Sequence, residues 1–89
     1  MKESYLEVTF RGGRAMAAYY YLPRRPGEKS VRTVRVEPGL VIDFSREGKP
    51  LGIEITAPEK LSTGVFNRVL KDIGFPAVGR SELAPLKAA

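Results

Sequence analysis

Apolar residues within the first 55 positions of this chain fall in short strand-like runs, several of them strictly alternating with polar ones, and recur at helical spacing after residue 61. Leu6, Val8 and Phe10 alternate with Glu7 and Thr9, the period of a strand buried on one face. Arg11-Gly12-Gly13-Arg14 predicts a hairpin turn, because glycine reaches the positive φ that tight turns require. A second strand, Ala15 to Leu22, has apolar groups on both sides. Ala17, Tyr19 and Tyr21 point one way, and Ala18, Tyr20 and Leu22 the other. Two prolines and a glycine make Pro23 to Ser30 a loop.

The stretch Val34 to Ile55 packs three short apolar runs and two turn signals together, which predicts a β-meander. Val34 and Val36 form the first run, Leu40, Ile42 and Phe44 the second, and Leu51, Ile53 and Ile55 the third. A four-residue loop at Ser45 to Gly48 pairs Phe44 with Lys49, Ile42 with Leu51 and Leu40 with Ile53. Both apolar sets then share a face. A three-residue connection at Glu37-Pro38-Gly39 keeps Val34 and Val36 on that face, whereas a two-residue Pro-Gly turn would flip them.

From Leu61 the period changes. Leu61, Val65, Phe66, Val69, Leu70 and Ile73 make one helical stripe, with Thr56 or Ser62 as N-cap and Gly74 as the C-terminal stop. Gly64 costs about 1 kcal/mol relative to alanine inside a helix, so a break near Ser62 is open. Ser81 to Ala84 offers one further helical turn before Pro85. The expected fold is α+β, an antiparallel β-meander of about five strands with one C-terminal helix packed on one face. Its expected layout is a single domain over 1–89, with the sheet over about 5–55, the helix over about 58–73 and an extended tail over 75–89. One helix covers one face. Ala18, Tyr20, Leu22 and Val41 are then left on the other, which predicts a sheet-to-sheet homodimer burying about 800 Å² per partner.

Composition narrows the chemistry. The 89 residues contain no cysteine and no histidine, which removes disulfides, thiolate metal sites and the usual general base near neutral pH. No cofactor, metal or enzymatic activity is expected. No apolar run approaches the roughly 20 residues that span a bilayer, and Met1 to Val8 lacks the apolar core of a secretory signal. A cytoplasmic, bacterial-type protein without membrane contact is the expectation. The net charge of +5 is unevenly placed: Arg11 to Arg35 holds seven basic residues against Glu28 alone. Such a patch points to an anionic partner or to solvated loops.

The segment Leu40-Val-Ile-Asp-Phe-Ser-Arg-Glu-Gly-Lys-Pro-Leu-Gly-Ile-Glu-Ile55 resembles the bacterial domain-of-unknown-function 2283 family. The pattern is an apolar run, Asp, an aromatic, a turn ending in Gly, then Gly-Ile-Glu-Ile. Ala17 to Leu22 is similar to the family's Ala-Leu-Tyr-Ile-x-Leu strand, and the resemblance extends over about residues 5–57. The chain departs from the family at Met16, often acidic there, and in its longer basic loop. The resemblance implies no catalytic residue or cofactor. It does imply an antitoxin-like, partner-binding role, since relatives sit beside toxin-like genes in some genomes.

Four family-motif positions read as structural. In the expected register Asp43 faces Pro50, with Glu54 about 13 Å further along, too far for paired acid–base work. Asp43 is expected to accept hydrogen bonds from its own turn, and Glu54 to pair with Arg35 or Arg32. Gly48 belongs to a hairpin, and Gly52 permits the close approach of another backbone or a large side chain. Two functions follow. The first is a homodimeric protein-binding module with a toxin-like partner and an exposed edge strand on offer. The alternative is a nucleic-acid-binding module using Arg11, Arg14, Arg24, Arg25, Arg32 and Arg35 with Tyr19 and Tyr21. Convergence of those arginines around an exposed tyrosine separates the two.

Overall fold

The computed structural model describes residues 3–87. Strands β1 (Tyr5–Arg11) and β2 (Arg14–Tyr21) form a hairpin closed by Gly12 and Gly13, whose φ angles of +58° and +80° suit a tight two-residue turn. After the loop come β3 (Arg32–Glu37), β4 (Leu40–Phe44) and β5 (Pro50–Ile55). All pairings are antiparallel, in the order β1-β2-β5-β4-β3. The meander is therefore β3–β4–β5, and the hairpin joins it at β5 instead of continuing into β3. Burial explains the order. Leu51, Gly52, Ile53 and Ile55 are buried, so β5 needs a strand on each side, while β3 exposes Arg32, Thr33 and Arg35 and tolerates an edge.

Register corrects two expectations. Ile42 opposes Ile53 and Leu40 opposes Ile55, two residues beyond the expected pairing. The loop is one residue longer, with Phe44 against Pro50, and a shift between Asp43 and Phe44 leaves Leu51 as an extra residue. Because the two changes add to an even number, the apolar sets still share a face. The β3–β4 turn is the two-residue Pro38-Gly39 form, with Gly39 at φ +85° and Glu37 opposite Leu40. A bulge at Val36 restores parity: Val34 stays half-buried opposite Ile42, and Val36 is left 38% exposed.

The helical region also divides. A 3₁₀ turn at Pro58–Lys60 precedes α1 (Thr63–Asp72), and Ser62 caps α1 by accepting the Val65 N–H at 3.1 Å. At the other end Gly74 has φ +86°. Its N–H donates to the Lys71 carbonyl and that of Phe75 to Leu70, a Schellman closure. The tail corrects the expected extended layout, since α2 (Arg80–Leu83) and a 3₁₀ turn at Ala84–Lys87 occupy most of it. Asn67 clamps it to α1, donating to the Val78 carbonyl at 3.0 Å and accepting the Val78 N–H at 2.8 Å. Val78, Leu83 and Leu86 then enter the core beside Phe66, Val69 and Leu70.

The helices cover the face that carries Leu40, Ile42, Ile53 and Ile55. Ala18, Tyr20 and Leu22 belong to that same face: Ala18 and Leu22 are buried in the core, and the Tyr20 ring meets Phe66 edge-on at 5.3 Å. Three of the four residues expected to form a dimer surface thus lie beneath helices. Only Val41 stands on the uncovered face, and it is half-buried.

Candidate functional site

The uncovered face is built in two rows across the sheet. One runs Tyr5, Tyr21, Gly52, Asp43 and Thr33, and the next Glu7, Tyr19, Glu54, Val41 and Arg35. Gly52 organises both. A Cβ built on it would fall 2.3 Å from the Tyr19 ring, so the ring lies directly over the glycine. From β2 it reaches across β5, and its hydroxyl donates to Asp43 Oδ2 on β4 at 2.7 Å. Burial first, then the bond to Asp43, pushes the Tyr19 hydroxyl pKa well up, with Arg24 acting in the opposite direction. Asp43 is therefore a cross-strand acceptor and not, as expected, a cap on its own turn. That role belongs to Ser45, whose Oγ accepts the Lys49 N–H at 3.1 Å.

Tyr21 completes the cluster. Its ring stacks on Tyr5 at 4.5 Å and meets Tyr19 edge-on at 4.6 Å, while its hydroxyl donates to Glu7 at 3.2 Å. Partial burial and the Glu7 bond raise its pKa. Glu54 is exposed between Tyr19 and Val41. The register brings it to about 7 Å along the strand from the position facing Asp43, closer than expected. No ion pair joins it to Arg35 or Arg32 among the described residues. Arg32 instead lies over the Phe44 ring at 4.7 Å. Gly48 sits in its hairpin with φ +85°.

The six arginines do not form one surface. Arg11 and Arg14 flank the β1–β2 turn, about 24 Å along β2 from Tyr21. Arg35 sits on edge strand β3 within the uncovered face. Arg24 and Arg25 gather at the opposite end from the β1–β2 turn. Arg24 donates to the Leu51 carbonyl at 3.1 Å and lies 5.7 Å from the Tyr21 ring centroid, while Arg25 is exposed. There the 23–30 loop crosses the β4–β5 turn and leaves a cleft of about 860 Å³. Lys29, Arg46 and Lys49 join Arg25 in its lining, with Glu28 and Glu47. Lys49 and Glu28 form an ion pair at 2.8 Å, and this bond, with the Arg25 N–H, holds the Glu28 carboxyl below the usual range.

Sequence reasoning missed Tyr5, Glu7, Arg46 and Lys49. Extending the β1 alternation back one step would have put Tyr5 beside Glu7. Nothing local signals that Arg46 and Lys49 meet the basic loop, because that depends on strand order. Among the described residues, no three potential ligands cluster closely enough to hold a metal ion, and no helix is long and apolar enough to cross a membrane.

Fold and face together define a small α+β domain: a five-stranded antiparallel sheet, helices on one side and an aromatic surface on the other. Residues 17–57, which take in β3, β4, β5 and the second half of β2 from Ala17 on, match the family described as Protein of unknown function (DUF2283). The resemblance holds over that segment, and β1 lies outside it. No curated protein matches the chain, and no solved structure does.

Proposed function

We propose that this protein is a non-catalytic binding module that docks a basic protein surface on its uncovered sheet face. The observation that carries the reading is the pre-ordered tyrosine cluster, Tyr19 and Tyr21, flanked by Glu7 and Glu54. Rigid tyrosines supply contact area at little entropic cost and are enriched among residues that dominate protein interfaces. The two glutamates add charge complementarity toward lysine and arginine, and ring faces favour the same cations. A basic toxin-like partner of the kind the family resemblance implies has the matching chemistry. Self-association on this face would set Glu7 and Glu54 against their own copies, so the reading favours a different partner over the homodimer expected from the sequence.

The test is capture from native lysate after nuclease treatment, comparing wild type with Glu7→Lys/Glu54→Lys. A basic protein retained stoichiometrically by the wild type and lost by the exposed-charge variant is the expected result. Equal retention by both, or no retained basic protein, overturns the reading. Light scattering on the purified chain should give a monomer.

A further inference from the structure

We infer that the end of the sheet beneath the 23–30 loop is a docking site for single-stranded nucleic acid, gripped by its phosphates and by one stacked base. Two adjoining features carry this. The first is the cleft of about 860 Å³ between the loop and the β4–β5 turn, with Arg25, Lys29, Arg46 and Lys49 in its wall against Glu28 and Glu47. Glu28 already accepts from Lys49 at 2.8 Å and from the Arg25 N–H at 2.6 Å, so its charge is largely spoken for within the protein. Arg25, Lys29 and Arg46 stay exposed and set the sign of the surface.

The second feature lies on the other side of the same loop. A depression of about 310 Å³ shares Arg25, Pro26, Gly27 and Glu28 with the cleft and is lined by Tyr5 and Tyr21. The two rings stack at 4.5 Å with 14° between their planes, and Tyr5 remains 48% exposed. A ring held flat by a second ring is a platform for a base, and cations one loop-width away are placed for the flanking phosphates. An acidic peptide would use the cations and leave the platform idle. A duplex would keep its bases stacked away from Tyr5. The site differs from the arginine set expected from the sequence: Arg11, Arg14 and Arg35 are outside it, while Lys29, Arg46, Lys49 and Tyr5 are inside.

The experiment is fluorescence anisotropy with fluorescein-labelled oligo-dT and oligo-rU of about twelve nucleotides, a length within the usual range for small single-strand sites. Three phosphate contacts predict a slope of log K against log salt of about −2. Arg25→Ser/Lys29→Ser/Arg46→Ser should weaken binding at least about ten-fold and flatten that slope, and Tyr5→Ala should weaken it about five- to ten-fold. Arg11→Ser/Arg14→Ser, at the far end of the sheet, should change affinity by less than about two-fold. All these side chains are exposed, and circular dichroism should show every variant folded. The inference is overturned if the wild type shows no salt-dependent binding, if the triple variant binds as the wild type does, or if the far-end pair loses as much. Equal competition by a polyglutamate peptide of matched charge also overturns it, since the site would then read acidic protein.

Discussion

At the scale of single residues, the decisive contact is Tyr19 lying over Gly52 to reach Asp43. It ties three strands together with one side chain, and it needs a residue without Cβ at position 52. Gly52→Ala should cost about 2–4 kcal/mol, from overpacking plus the lost bond to a charged acceptor. Tyr19→Ala added to Gly52→Ala should cost far less than the sum of the two single changes, because the clash vanishes with the ring. Urea unfolding of the three variants checks both points, and additive losses would mean that the glycine matters for some other reason. The Tyr19 hydroxyl also sets a pH dependence. Its folded-state pKa lies above its ordinary value of 10.0, so the contribution is fully present below about pH 10 and is lost as pH rises beyond it. Stability should therefore fall on the alkaline side, and Tyr19→Phe should flatten that fall. The residual dependence belongs to Tyr21, whose pKa is raised as well.

At the scale of elements, short devices fix where each segment starts and stops. Ser62→Ala removes the α1 cap and should cost about 1 kcal/mol. Asn67 does more than its helical position suggests, since both halves of its amide are spent on the Val78 backbone. Asn67→Ala should destabilise the fold by about 1–3 kcal/mol. It should also make the segment after Phe75 the first site of cleavage in limited proteolysis, while Asn67→Asp keeps one of the two bonds and should be intermediate. The sequence showed the apolar stripe of this helix and Gly74 at its end. It gave no sign of the clamp, because an asparagine on a half-polar face looks the same whether it meets water or a returning tail. The register follows the same logic: alternation specifies faces, so a one-residue difference in turn length at β3–β4 and again at β4–β5 is offset by a one-residue bulge that keeps the apolar sets on one face.

At the scale of the molecule, strand order governs both stability and charge. Central β5, with Leu51, Ile53 and Ile55 fully buried, should hold the slowest-exchanging amides, and edge strands β1 and β3 should exchange sooner. Hydrogen exchange followed by NMR tests this directly, and equal protection across the sheet would contradict the order. The same topology sorts charge. It carries the 23–30 loop over the β4–β5 turn, gathering cations from two distant stretches at one end, and leaves Glu7 and Glu54 flanking tyrosines on the open face. Two surfaces of opposite character result on a chain whose net charge alone is +5.

By itself the sequence determined the strands, the inward faces of β1, β4 and β5, the helix and its glycine stop. Each of these is written in local periodicity and turn chemistry, where a residue's neighbours along the chain are its neighbours in space. It also determined the family resemblance, carried by a contiguous run. Only the tertiary structure decided which side of β2 lies beneath the helices, for both sides carry apolar groups and alternation cannot rank them. Only it placed Tyr19 on Gly52, and Arg46 and Lys49 beside Arg25. Those meetings join residues more than 15 positions apart, and they depend on which edge of the β3–β4–β5 meander captures the hairpin; β5 does, with Leu51, Ile53 and Ile55 to bury where β3 presents Arg32, Thr33 and Arg35.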